Sequence, residues 1–141
     1  MVQCSDFTPT IKTINTHLMS QQLVRPDLAA AIVVTDHANP WEYGALSNDI
    51  VPASSITDRF MIHYIDVTAN NNDEYQLALV AGASTIICEV TFTRAGVQNI
   101  SFPQDVTTEM IAANTQIRAK VATSAGGGST CDVKIALHTH P

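Results

Sequence analysis

Charge is scarce in this sequence of 141 residues. Charged side chains make up 14% of it, against about a quarter in ordinary domains. Seven basic residues lie scattered among 13 acidic ones, for a net charge of −6. A nucleic-acid binder needs a concentrated cationic face to displace counterions, so nucleic acid is not an expected partner. No apolar run approaches the roughly 18 residues that a transmembrane helix needs, and no membrane association is expected. The N-terminus, Met-Val-Gln-Cys-Ser-Asp, has neither the basic nor the apolar region of a secretory signal, and synthesis in the cytoplasm is the expectation. Cys4, Cys88 and Cys131 are an odd number without metal-ligand spacing, so reduced thiols are expected and a Cys88–Cys131 bridge is not. Aromatic residues are 6% of the chain, which leaves few side chains on which a ligand could stack.

β-branched residues fill the space that charge leaves. Val, Ile and Thr account for 41 of the 141 residues, a composition suited to a pleated, half-buried surface. The length fits one domain with a real core. Residues 1–27 read as an N-terminal arm or short helix. Thr8-Pro9 can start a helix, Ile11, Ile14 and Leu18 recur at helical spacing, and Pro26 stops it. Residues 28–141 read as one all-β domain. Strand signals fall at residues 28–35, then irregularly at 41–51, where Gly44 interrupts and Pro52 ends the run. Residues 59–68 are apolar on both faces, with Phe60, Ile62 and Tyr64 on one and Met61, Ile65 and Val67 on the other, which predicts a central strand covered on both sides. Tyr75, Leu77 and Leu79 alternate with Gln76 and Ala78, and Ile86, Cys88, Val90 and Phe92 alternate with Ile87, Glu89, Thr91 and Thr93. A short strand around Ile100 and Phe102 ends at Pro103, and residues 104–114 connect, with room for one helical turn. Ile117, Ala119, Val121 and Thr123 face inward. Gly126-Gly127-Gly128 then turns the chain into Val133, Ile135 and Leu137. About eight short strands of period two predict an antiparallel β-sandwich or jelly roll.

No catalytic constellation is complete. The last four residues, His138-Thr139-His140-Pro141, resemble the His-x-His-Pro of JAMM-type zinc isopeptidases. The serine and aspartate that this family places further on have no counterpart, and its helices are missing. His138 and His140 lie two apart on a strand, so both rings project from one outward face beside Lys134. Two imidazoles hold a metal only with a third ligand, which copies around a three-fold axis could supply. His63 reads as a core or interface histidine, and Asp36-His37 as turn residues rather than a dyad. No Gly-x-Ser-x-Gly elbow and no phosphate-binding glycine loop is present, so no cofactor is expected and the chain is not read as an enzyme. Trp41, Tyr43 and Tyr64 are candidates for a sugar-stacking platform, Tyr64 being expected in the core, which gives a carbohydrate- or receptor-binding module as the alternative function.

Three stretches carry a resemblance: Tyr75-Gln-Leu-Ala-Leu-Val-Ala-Gly82, Ile87-Cys-Glu-Val-Thr-Phe92 and Ile111-Ala-Ala-Asn-Thr-Gln-Ile-Arg-Ala-Lys-Val-Ala-Thr-Ser124. Together they resemble the small jelly-roll structural proteins of tailed bacteriophages, of the head decoration (cement) or fibre-tip type. Asn114 stands where that family more often has glycine, and Lys120 where it has arginine. The resemblance covers about residues 57–140 and implies a virion protein on the outer capsid surface. It further implies a homotrimer whose partner is the major capsid protein. Phe7, Ile11, Ile14 and Leu18 of the arm, with Trp41 and Tyr43, are the candidate interface residues under that reading.

Overall fold

The computed structural model describes residues 21–27, 30–96 and 101–141. Within them lie eight strands and no helix: β1 (Gln22–Arg25), β2 (Ile32–Thr35), β3 (Arg59–Ala69), β4 (Asp73–Ala81), β5 (Thr85–Arg94), β6 (Ser101–Asp105), β7 (Ile117–Thr123) and β8 (Thr130–His140). They form two antiparallel sheets that pack as a β-sandwich. In the larger sheet β3 lies between β8 and β6, while β1 and β2 follow one another along the far edge of β8. The smaller sheet has β4 at its centre, with β5 and β7 on either side. Phe60, Ile62, Ile65 and Val67 from β3 meet Tyr75, Leu77 and Leu79 from β4, Ile117 and Val121 from β7, and Val133, Ile135 and Leu137 from β8 in one core. Truncating any of the large ones removes packing worth about 2–5 kcal/mol.

Two bulges decide which side chains reach that core. In β3 the pairing with β8 steps from Ile62–Leu137 to Tyr64–Ala136, so His63 is an extra residue. The extra residue shifts the phase of the strand. Phe60 and Ile62 before it, and Ile65, Val67 and Ala69 after it, all point inward and are buried. The expectation of a strand apolar on both faces and covered on both sides is thus corrected. It is central in its sheet, but one bulge puts Phe60, Ile62, Ile65 and Val67 on the inner side and leaves Met61 and Tyr64 on the outer one. A second bulge, between Cys88 and Ile86 opposite Leu79 and Val80, shifts the phase of β5. Ile87 packs against the core, while Ile86, expected on the inward face with Cys88, is 42% exposed.

Three further expectations change. Residues 22–25, assigned to the arm, form β1 and pair with β8. β6 runs through Pro103 rather than ending there, which an edge strand tolerates because a ladder hydrogen bond is needed on one side only. Residues 106–111 form no helical turn. Val106 N–H and Thr108 N–H donate to the carbonyls of His63 and Ile62, and Phe60 and Ile111 exchange a pair of bonds, so this segment extends the edge of β3.

Residues 41–51 are not a strand, yet they cover the open edge of β7. The N–H groups of Trp41, Gly44, Ser47 and Ile50 donate to the carbonyls of Thr123, Val121, Ala119 and Ile117 at 2.8–3.0 Å. Three residues of this segment advance for every two of β7, so it cannot hold a regular ladder. The result is an edge closed by loop, one of the ways a sheet avoids pairing with another chain.

Candidate interaction surfaces

The outer face of the smaller sheet is closed by its own side chains. Lys120, Ala78 and Glu89 stand in one row across β7, β4 and β5. Tyr43 reaches over that row from the edge segment. Its hydroxyl donates to Glu89 Oε2 at 2.6 Å, and Lys120 Nζ sits 4.8 Å from its ring centroid. Ala78, Val80 and Ala122 point to this face and are nonetheless buried. Burial pushes the Tyr43 hydroxyl well above its ordinary value, and the bond to Glu89 and its charge add to the shift. Arg118 completes the cover, donating to the Gly82 carbonyl at 3.0 Å.

The outer face of the larger sheet is built differently. Val24 in β1 and Val33 in β2 are 51% and 57% exposed. Met61, Tyr64, Asp66, Lys134 and His138 are half-buried beside them. Gln22, Val24, His63, Tyr64, Asp66, Lys134 and Ala136 line a shallow depression of about 350 Å³ there. His63, placed on this face by the bulge rather than among Ile65 and the core, has its Nε2 buried without a hydrogen-bond partner. A buried polar atom left unpaired costs about 1–3 kcal/mol, which a partner that reaches it would recover. His138 and His140 do share this face, with ring centroids 5.6 Å apart, and His63 joins them 5.8 Å from His138. Sequence reasoning missed the third histidine because alternation assigned His63 to the strand face of Ile65. Among the described residues no group of three His, Cys, Asp or Glu is arranged to hold a metal ion.

A third cluster ties the glycine turn to the body. Asp36 accepts from Thr123 Oγ1 at 2.6 Å, Gly128 N–H at 2.9 Å and Ser129 N–H at 3.2 Å. Asp73 accepts from Ser124 Oγ, Ser129 Oγ and the amides of Glu74 and Ala125. Asp36 and His37 therefore do not work together: His37 Nδ1 instead accepts from Asn39 N–H at 3.0 Å. These carboxylates hold loops, and their acceptor sites are spent on the protein itself. Cys88 and Cys131 are free thiols, and burial pushes Cys131, with the Asp132 charge adding to it, up to about 12.

Of the expected interface residues, Phe7, Ile11, Ile14 and Leu18 lie outside the described residues, as does Cys4. Trp41 and Tyr43 are two apart but serve different neighbourhoods. Tyr43 is engaged with Glu89 and Lys120, whereas Trp41 is 51% exposed beside Glu74, Thr91 and Thr93. The geometry thus defines an all-β sandwich whose outer faces differ: Tyr43, Lys120 and Arg118 cover much of one and leave Ile86 exposed, while Val24 and Val33 stand open on the other. No family model matches the chain, and no curated protein matches it.

Proposed function

We propose that this chain is a structural protein of a tailed-phage particle, a head decoration or cement protein that binds the outer capsid surface. The observation that carries the reading is the contrast between the two outer faces. Tyr43, Glu89, Lys120 and Arg118 close one of them. The other presents Val24, Val33, Met61 and Tyr64 around Asp66, Asp132 and Lys134, and holds a buried, unpaired His63 Nε2. Such a surface suits a broad, mostly desolvated contact rather than a small-molecule cleft. The resemblance of residues 57–140 to phage jelly-roll proteins supplies the kind of partner, the major capsid protein. A homotrimer at three-fold positions belongs to the same reading, with the segment that carries Phe7, Ile11, Ile14 and Leu18 as its second contact. Several modest contacts made at once hold a shell by avidity, without one tight site.

The test uses heads from which the protein is absent. Wild-type protein is expected to co-sediment with them. Val24→Glu together with Val33→Glu is expected to weaken binding at least about tenfold, because each roughly 1.4 kcal/mol of lost contact is a factor of ten. Both positions are exposed, but Glu at position 33 stands opposite Asp132, so a loss of about 1 kcal/mol is expected, and urea unfolding checks that the variant remains folded. Undiminished binding by the double variant would remove this face from the proposal.

A further inference from the structure

Trp41 is the chain's one tryptophan, and its backbone is held in a conformation that tryptophan disfavours. It follows Pro40 in a turn closed by Glu42 N–H donating to the Asn39 carbonyl at 3.5 Å. Proline at the second position and a positive φ at the third describe a turn whose third residue is normally glycine or asparagine. Here that residue is Trp41, with φ +59°. A bulky side chain in the left-handed region is strained, and such strain persists only where the surroundings enforce it. They do so here. Trp41 N–H donates to the Thr123 carbonyl at 2.8 Å. Gly126 lies so close beneath the turn that a Cβ on it would come within 2.8 Å of Ala38, Asn39 and Pro40 backbone atoms.

Only about half of the side chain is packed, and the rest, 51%, stays exposed to solvent. What the conformation achieves is position. The indole stands at the rim of a shallow depression of about 460 Å³ whose lining is Glu74, Tyr75, Thr91, Phe92 and Thr93. Tyr75 and Phe92 contribute to its lining from strands held rigid on the other side, where their rings stack 4.9 Å apart in the core. Glu74 and Thr93 face each other across the β4–β5 ladder, and Thr91 lies next to them on the same exposed face.

We propose that Trp41, Glu74, Thr91 and Thr93 form a carbohydrate-binding site in which a pyranose ring of a neutral polysaccharide stacks on the indole. An aromatic face suits the apolar C–H side of a sugar ring, and an aromatic platform with a few fixed polar groups is the usual makeup of a specific small-ligand site. The Glu74 carboxylate accepts from sugar hydroxyls, while the two threonine hydroxyls both donate and accept. The lining holds one carboxylate and no cation, which disfavours uronic or sialic acids. The shallow form suits one or two units within a chain, a weak contact that many copies would strengthen. The site goes beyond the structural role proposed above and stands without it.

Because no other tryptophan is present, fluorescence excited beyond the absorption of the three tyrosines reads this site alone. The probes are hexasaccharides of α-1,4-glucose, β-1,4-glucose, mannose and N-acetylglucosamine, with polygalacturonate and choline as charged controls. The expected result is a saturable blue shift of emission with at least one neutral hexasaccharide and none with either control. Glu74→Gln is expected to weaken that binding about tenfold, and Thr91→Val with Thr93→Val to do the same. By calorimetry Trp41→Gly, which keeps a residue the turn favours, should stay folded and not bind. A wild-type emission that no neutral hexasaccharide shifts overturns the proposal. So does a shift by choline or polygalacturonate alone, or a sugar titration unchanged in the Glu74 and threonine variants.

Discussion

Tyr43 spans three strands with one side chain. Its hydroxyl reaches Glu89, its ring lies under Lys120, and Ala78 is buried in the row between them. Removing the hydroxyl in Tyr43→Phe should lower stability by about 1 kcal/mol, the usual net worth of such a bond, measured by urea unfolding. The phenol itself should titrate well above the ordinary 10.0 in a spectrophotometric titration of the folded protein, since burial and then Glu89 oppose its ionisation. Asp73 makes the opposite case. Burial, the largest single influence, raises its pKa, but bonds from Ser124, Ser129 and the amides of Glu74 and Ala125 together hold it below 3.8. A carboxylate whose folded pKa is depressed contributes stability above its unfolded value and loses it as pH falls through the folded one. Asp73→Asn should therefore melt lower than wild type at neutral pH, and the gap should narrow as pH drops below 3.8. A gap independent of pH would assign the effect to the shape of the side chain rather than its charge. Neither role was legible in the sequence: Glu89 lies 46 positions from Tyr43, and Ser124 lies 51 from Asp73. At Trp41 the sequence shows only Pro40 before it, which marks a turn and not the φ that the turn imposes.

At the scale of elements, strands and turns were legible because alternation survives in most of them. Ile117, Ala119, Val121 and Thr123 face inward as their spacing predicts, and Gly126, Gly127 and Gly128 all take positive φ. Alternation failed where one residue was added. His63 and Ile87 each reverse the phase of the strand beyond them, and a pattern of two has no mark for an extra residue. β1 was missed for another reason: four residues are too few to show a period, and Leu23 alone is apolar on its inward side. The edge segment 41–51 matches β7 three residues to two, so no regular periodicity could reveal it. Gly44 is the point where that segment crosses the end of β2. A Cβ there would overlap the Thr35 carbonyl oxygen and lie 2.9 Å from that of Asp36. Both obstacles are backbone, so Gly44→Ala should destabilise by about 3 kcal/mol or more, as overpacking against an unyielding neighbour does. A melting temperature equal to wild type would show that the segment can lift off the sheet.

For the molecule as a whole, the sequence made the fold class plain and left its surfaces obscure. Composition and spacing lead to two packed antiparallel sheets. Which outer face stays open depends on contacts between residues distant in sequence, and on bulges that turn side chains from one side to the other. That asymmetry underlies the proposed role. The face with Val24 and Val33 leaves apolar side chains that a partner would cover, whereas on the other face Tyr43 and Lys120 already lie over Ala78. In the homotrimeric reading, light scattering should give three times the 15.2 kDa mass of the chain; a monomer that stays monomeric when bound to heads would contradict that stoichiometry. Capsid binding is tested most directly by co-sedimentation of the purified protein with gene-deleted heads, and then by the melting of those heads in a calorimeter. Saturable binding and a shell that melts at higher temperature are expected with wild-type protein, and neither with Val24→Glu/Val33→Glu. Heads that leave the wild-type protein in the supernatant, and melt the same with or without it, would contradict the proposed role.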